Sequence, residues 1–99
     1  MHAQIKIIND SKDFIFIEDI GKDSKSVTND AKNVVQFLFE KESIGNKRIF
    51  YRDSAGRIDE LLHNNGWFTG FAPSHRGYDE SEIVKENSPL DINDKILLL

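Results

Sequence analysis

Tyr51, Asp59 and His63 bring a phenol, a carboxylate and an imidazole within thirteen residues, and Ser54 adds a hydroxyl nearby. On one face of a sheet such a set could serve a small hydrolase or transferase built on His63 and Asp59. The weightier reading is structural, because a histidine beside a tight turn paired with a carboxylate is commonplace. His2, His63 and His75 have no metal-ligand spacing, since no pair lies at i, i+4 on a helix. Asp91-Ile92-Asn93-Asp94 begins like a calcium loop but lacks the glycine at position six and the closing glutamate. No metal site and no cofactor are expected.

Two further groups of residues invite functional readings. Gly66 and Gly70 fall at a hairpin turn and inside a strand, whereas phosphate-binding loops lead from a strand into a helix. Gly70 is expected instead to make room for a large side chain such as Leu61. Lys47, Arg48, Arg52 and Arg57 lie among Phe50, Tyr51 and Phe68, as in sheets that stack single-stranded bases. Asp53, Asp59 and Glu60 are interleaved with those cations, so a salt-bridged surface is the favoured account.

The elements that must position these residues belong to one domain, since 99 residues leave no room for a second core. The absence of cysteine excludes a disulfide framework, a thiolate metal site and a cysteine nucleophile. No segment resembles a signal peptide or a membrane span, so a cytoplasmic location is expected. Residues 1–78 carry eleven acids and eleven bases, so the net charge of −4 resides in residues 79–99. That distribution does not favour nucleic acid as a partner.

Ile5 to Ile8 and Phe14 to Ile17 read as a strand hairpin across Asn9-Asp10-Ser11-Lys12. A helix is predicted from Thr28 or Asn29 to Lys41, with Ala31, Val34, Val35, Leu38 and Phe39 on its buried stripe. Arg48 to Asp53, Arg57 to His63 and Trp67 to Ala72 read as a meander, with turns at 54–56 and at Asn65-Gly66. Pro73 should close its last strand. Ser88-Pro89 has the form of a helix start. The expected fold is α+β: a mainly antiparallel five-stranded sheet (β-β-α-β-β-β) with one main helix on one face. Residues 1–78 form its core, and 79–99 an acidic segment that could pack back on the sheet.

Pairing the meander through its turns sorts its side chains by face. One face collects Phe50, Ile58, Leu62, Trp67 and Phe71 with Arg52 and Glu60, and the helix is expected to cover it. The other collects Ile49, Tyr51, Leu61, Phe68 and Ala72 with Asp59 and His63. A single amphipathic helix covers one face only. The second face must therefore be closed by Ile83, Val84, Leu90, Ile92 and Ile96, or by another chain. More than about 400 Å² of open apolar surface would be unusual for a monomer. Ile49, Tyr51, Leu61 and Phe68 are thus the expected contacts for a protein partner or a second copy in a homodimer.

The run Ile49-Phe50-Tyr51-Arg52-Asp53-Ser54-Ala55-Gly56-Arg57-Ile58-Asp59-Glu60-Leu61-Leu62-His63, with Gly66-Trp67-Phe68-Thr69-Gly70-Phe71-Ala72-Pro73, resembles a segment of short bacterial and prophage proteins without an assigned activity. The likeness spans about a quarter of the chain. It implies that the meander is a recurring module in which Arg52, Asp53, Arg57 and Asp59 serve the turn. The expected function is a non-enzymatic interaction or accessory module of a mobile element.

Overall fold

Strand β2 (Phe14–Asp19) is apolar on both sides, and such a strand is stable only where both faces of a sheet are covered. It lies inside a six-stranded sheet of order β5-β4-β3-β2-β1-β6. The computed structural model describes residues 4–21, 27–72, 77–84 and 95–98. The remaining strands are β1 (Gln4–Asp10), β3 (Arg48–Arg52), β4 (Ile58–Asn64), β5 (Trp67–Ala72) and β6 (Lys95–Leu98). Helix α1 spans Val27–Lys41, and a short α2 spans Glu80–Val84. The Ser88-Pro89 helix start, Leu90, Ile92, Pro73, His2, His75 and the Asp91–Asp94 stretch lie outside the described residues.

The α+β class and the five expected strands are present, and β6 adds a sixth beside β1. The sheet is mixed rather than wholly antiparallel, because β2 and β3 run parallel. Parallel neighbours need a crossover, and α1 supplies it. Its first turn is irregular: Asp30 departs from helical geometry (φ −117°, ψ 21°), and its Oδ1 accepts from Asn33 Nδ2 at 3.2 Å. Beyond that point Ala31, Val34, Val35 and Leu38 form the buried stripe.

The face covered by α1 is opposite to the expected one. Its Val34, Val35 and Leu38 pack with Ile5, Ile7, Ile15, Ile17, Ile49, Tyr51 and Leu61. The reason is charge. Strand alternation and the β3–β4 register put Glu18, Arg48, Arg52 and Glu60 together on the other side. A helix lying there would strip water from all four. The meander taken alone hides this, because β1 and β2 supply much of the aliphatic face.

The second face is closed from the C-terminal side. Phe14, Phe16, Phe50 and Ile58 form a buried cluster with Ile83 of α2, and Ile8 and Tyr78 pack against it. Tyr78 meets Phe50 edge-on at 5.2 Å, and its backbone N–H donates to Ile58 O at 2.9 Å. Asp79 starts α2 as half of a capping box, its N–H donating to Glu82 Oε1 at 3.2 Å. Buried Glu60 takes both Nε and Nη2 of Arg48, at 3.0 and 2.8 Å, and accepts from the Tyr78 hydroxyl at 3.3 Å. The paired geometry makes its burial tolerable.

Both meander turns fold as their residues dictate. Asp53 Oδ1 accepts from the N–H groups of Ala55 and Arg57, and Gly56 is left-handed at φ +92°. Asn65 (φ 51°) and Gly66 (φ 88°) make the two-residue turn, and Gly66 lies so close to Phe39 that a Cβ there would sit 2.7 Å from the ring. Past His63↔Phe68 the register slips at Thr69, so Leu62 faces Gly70 and Leu61 faces Phe71. This bulge puts Phe71 on the face of Leu61 and Ala72 on the face of Glu60, each the reverse of the company expected for it. Nor does Gly70 admit Leu61: nothing lies within 4 Å of where its Cβ would be, and its φ of +150° is what calls for glycine.

If residues 77–84 belong to the folding unit, Ile83→Ala will cost about 2–4 kcal/mol, as deletion of a buried side chain does. Urea unfolding measures it; a loss below about 0.5 kcal/mol would mean that α2 is not anchored.

Candidate functional site

Of the residues expected to do chemistry, Tyr51 and Asp59 pair directly across β3 and β4, but His63 is held apart from Asp59. Asp59 and His63 lie four positions apart on β4, about 13 Å along a strand at the usual rise. Asp59 pairs with Arg57 Nε at 3.2 Å. His63 is a structural latch: Nδ1 accepts from Gly66 N–H at 3.1 Å, and Nε2 donates to Lys47 O at 2.8 Å. Both ring nitrogens are therefore spent on backbone, which fixes the tautomer and leaves none to move a proton for a substrate.

The expected contact surface is interior. Ile49 and Leu61 are fully buried beneath α1, Tyr51 is 2% exposed, and Phe68 is half-buried. The Tyr51 hydroxyl shares a 3.1 Å hydrogen bond with Thr28 Oγ1 in the first turn of α1. Burial pushes its phenol up to about 12, opposed by the Thr28 bond and reinforced by the charges of Asp19 and Asp53. Tyr78 is also raised, first by burial and then by Glu60. Arg48 is raised as well, chiefly through its hydrogen bond to Glu60.

The basic cluster is dispersed and paired. Arg52 reaches Glu80 at 2.8 Å and Glu18 at 3.9 Å while lying over the Phe16 ring at 5.2 Å. Arg48 lies over Phe50 at 4.8 Å and is held by Glu60, and Lys47 pairs with Asp10 at 2.8 Å. With Tyr51 under the helix, this surface offers no aromatic platform flanked by free cations.

A cleft of about 630 Å³ opens at the carboxyl ends of β2 and β3, lined by Glu18, Asp19, Ile20, Gly21, Arg52, Asp53, Ser54 and Gly56. Ligands of α/β proteins favour this position. Here the groups serve the backbone instead. Asp19 accepts from Gly21 N–H at 3.0 Å and Val27 N–H at 3.2 Å, so its carboxylate occupies the positive end of α1. Asp53 holds its turn, and Arg52 is paired with acids. Among the described residues no three His, Asp or Glu converge as metal ligands, and no buried side-chain polar atom lacks a partner. No helix among them is long and apolar enough to cross a membrane.

The surface that stands out is the β5 edge. Trp67 is 65% exposed, and Leu62 and Phe71 are each 37% exposed. Lys32 Nζ of α1 lies 4.9 Å from the Trp67 ring centre, and Phe68 meets Phe71 edge-on at 5.1 Å. Among the described residues β5 has a neighbour on one side only, and none of its six residues is charged or proline. Such an edge lacks the usual side-chain guards against pairing and keeps only the bulge at Thr69. The meander pattern could have revealed this, because a last strand of uncharged residues after Asn65-Gly66 is an edge candidate. Its place at the rim follows from the strand order.

No protein-family model, no curated protein and no solved structure matches this chain.

The raised Tyr51 phenol gives a pH test. Below pH 10 the hydroxyl is protonated in both folded and unfolded chains, so its contribution to stability is complete. As pH rises from 10 towards 12 only the unfolded chain releases the proton, and stability falls. Tyr51→Phe should flatten that decline in urea midpoints taken across the window. An unchanged slope would show that Tyr51 does not titrate as an enclosed group.

Proposed function

We propose that this chain is a non-enzymatic protein-interaction module whose contact surface is the β5 edge. The observation that carries this reading is Trp67, 65% exposed on an uncharged edge strand whose Phe71, on the opposite face, is also exposed. Tryptophan is strongly enriched among binding hot spots, and the Trp67 ring, flanked by Lys32 on one side, stays largely open to a partner. An open edge adds directional backbone hydrogen bonds, so a partner strand gains register from the main chain and affinity from the side chains. The residues first expected to bind are core, and the pairing of the ionisable groups leaves neither His63 with Asp59 nor the arginines a substrate-directed role. An accessory role in a mobile element, which the resemblance of the meander would imply, belongs to the same proposal.

A photo-crosslinking residue in place of Thr69, expressed in the native host, tests the reading. The expected product is a polypeptide adduct, weakened roughly ten- to a hundredfold by Trp67→Ala, as for a hot-spot tryptophan. Adducts absent at position 69 but formed by the same probe at Gln36 on the exposed side of α1 would overturn the edge as the contact surface.

A further inference from the structure

We infer that the occupant of this edge is a second copy of the same chain, its β5 pairing antiparallel with the first so that two six-stranded sheets become one. The inference rests on the edge reading above and adds the partner. Its basis is the self-complementarity of Trp67-Phe68-Thr69-Gly70-Phe71-Ala72. Read antiparallel against itself about the centre of the strand, Trp67 falls opposite Ala72, Phe68 opposite Phe71, and Thr69 opposite Gly70. Large meets small at the outer and central pairs, and aromatic meets aromatic between them, a favourable cross-strand combination. The position of a Cβ on Gly70 has nothing within 4 Å, so the Thr69 methyl of the other copy finds room.

The bulge makes this register geometrically consistent. A two-fold axis perpendicular to a sheet keeps each side chain on its own face, so residues that pair across it must share a face within one chain. In a regular strand Trp67 and Ala72 point to opposite faces, as do Phe68 and Phe71. The slip at Thr69 corrects both. Phe68 and Phe71 pair with His63 and Leu61 on the helix side, while Trp67 and Ala72 pair with Asn64 and Glu60 of the alternate side, the Trp67 ring standing at the rim 4.9 Å from Lys32 Nζ of α1. The two bulges would then face each other across the axis.

Charge favours the same occupant. The chain carries −4, yet β5 contributes none of it, so self-pairing brings no like charges into register on the paired strands. The contact is small, about 20 Å of edge for six residues, which places it with transient associations rather than obligate dimers.

Sedimentation equilibrium of the full chain from about 10 to 500 µM, the range suited to a weak interface, decides the matter. The mass is expected to rise from 11.4 kDa towards twice that value, with the emission of the single tryptophan, Trp67, moving to the blue as it leaves water. Thr69→Lys puts two like charges across the axis and should weaken association at least tenfold with an unchanged circular dichroism spectrum. Should that variant not fold, Trp67→Lys makes the same test on a side chain already in water. Ile96→Lys, at an exposed position on the opposite edge, should leave association intact. A monomer at every concentration overturns the inference, and so does a dimer lost in Ile96→Lys but kept in Thr69→Lys. A monomer that still crosslinks to another polypeptide through position 69 leaves the edge reading standing and removes only the second copy.

Discussion

Segregation of charge on the sheet governs the architecture of this chain. Glu18, Arg48, Arg52 and Glu60 share one face through strand alternation and register, whereas Ile15, Ile17, Ile49 and Leu61 share the other. A crossover helix joining parallel β2 and β3 must lie over one side of that pair. Only the aliphatic side accepts it without desolvating four ionised groups. The ionisable groups on the helix side stand at strand ends. Asp19 caps α1, Asp59 pairs with Arg57, and His63 latches the turn at Gly66.

The charged face then needs a different cover. Arginines lie on the phenylalanine rings, Glu60 takes both the Arg48 fork and the Tyr78 hydroxyl, and Ile83 fills the aromatic cluster. Each ion pair there does structural work beside an aromatic ring, and the guanidinium stems add apolar contact. Here the acidic C-terminal part enters the fold: Glu80 answers Arg52, and Tyr78 and Ile83 supply the apolar seal. With both sheet faces packed, the outer strands among the described residues are β5 and β6. Of the two, the β5 edge carries the exposed tryptophan.

Catalytic signals in the sequence were real as residue types and misleading as geometry. Asp59 and His63 do share a sheet face, as alternation requires, but four positions of extended chain separate them. His63 spends both nitrogens on the main chain because a two-residue turn leaves an N–H within its reach. A short reach in sequence says nothing about convergence in a strand, where neighbours in space come from the partner strand.

The elements themselves were legible in the sequence, because they rest on local chemistry. Asn65-Gly66 and Asp53 to Gly56 define their turns through left-handed backbone and side-chain capping, and the Ala31 to Leu38 spacing defines a helical stripe. The ladder pairs Tyr51↔Asp59 and His63↔Phe68 follow from those turns. Tertiary structure decided which face α1 covers, because that choice depends on summing charge and aliphatic surface over strands distant in sequence. It also decided the parallel β2–β3 pairing, the place of β6 beside β1 and the bulge at Thr69. The bulge turned Phe71 from an expected core position to the rim of the helix side. Local residues set what each segment can become; only the competition among all segments for one buried volume sets where each side chain ends.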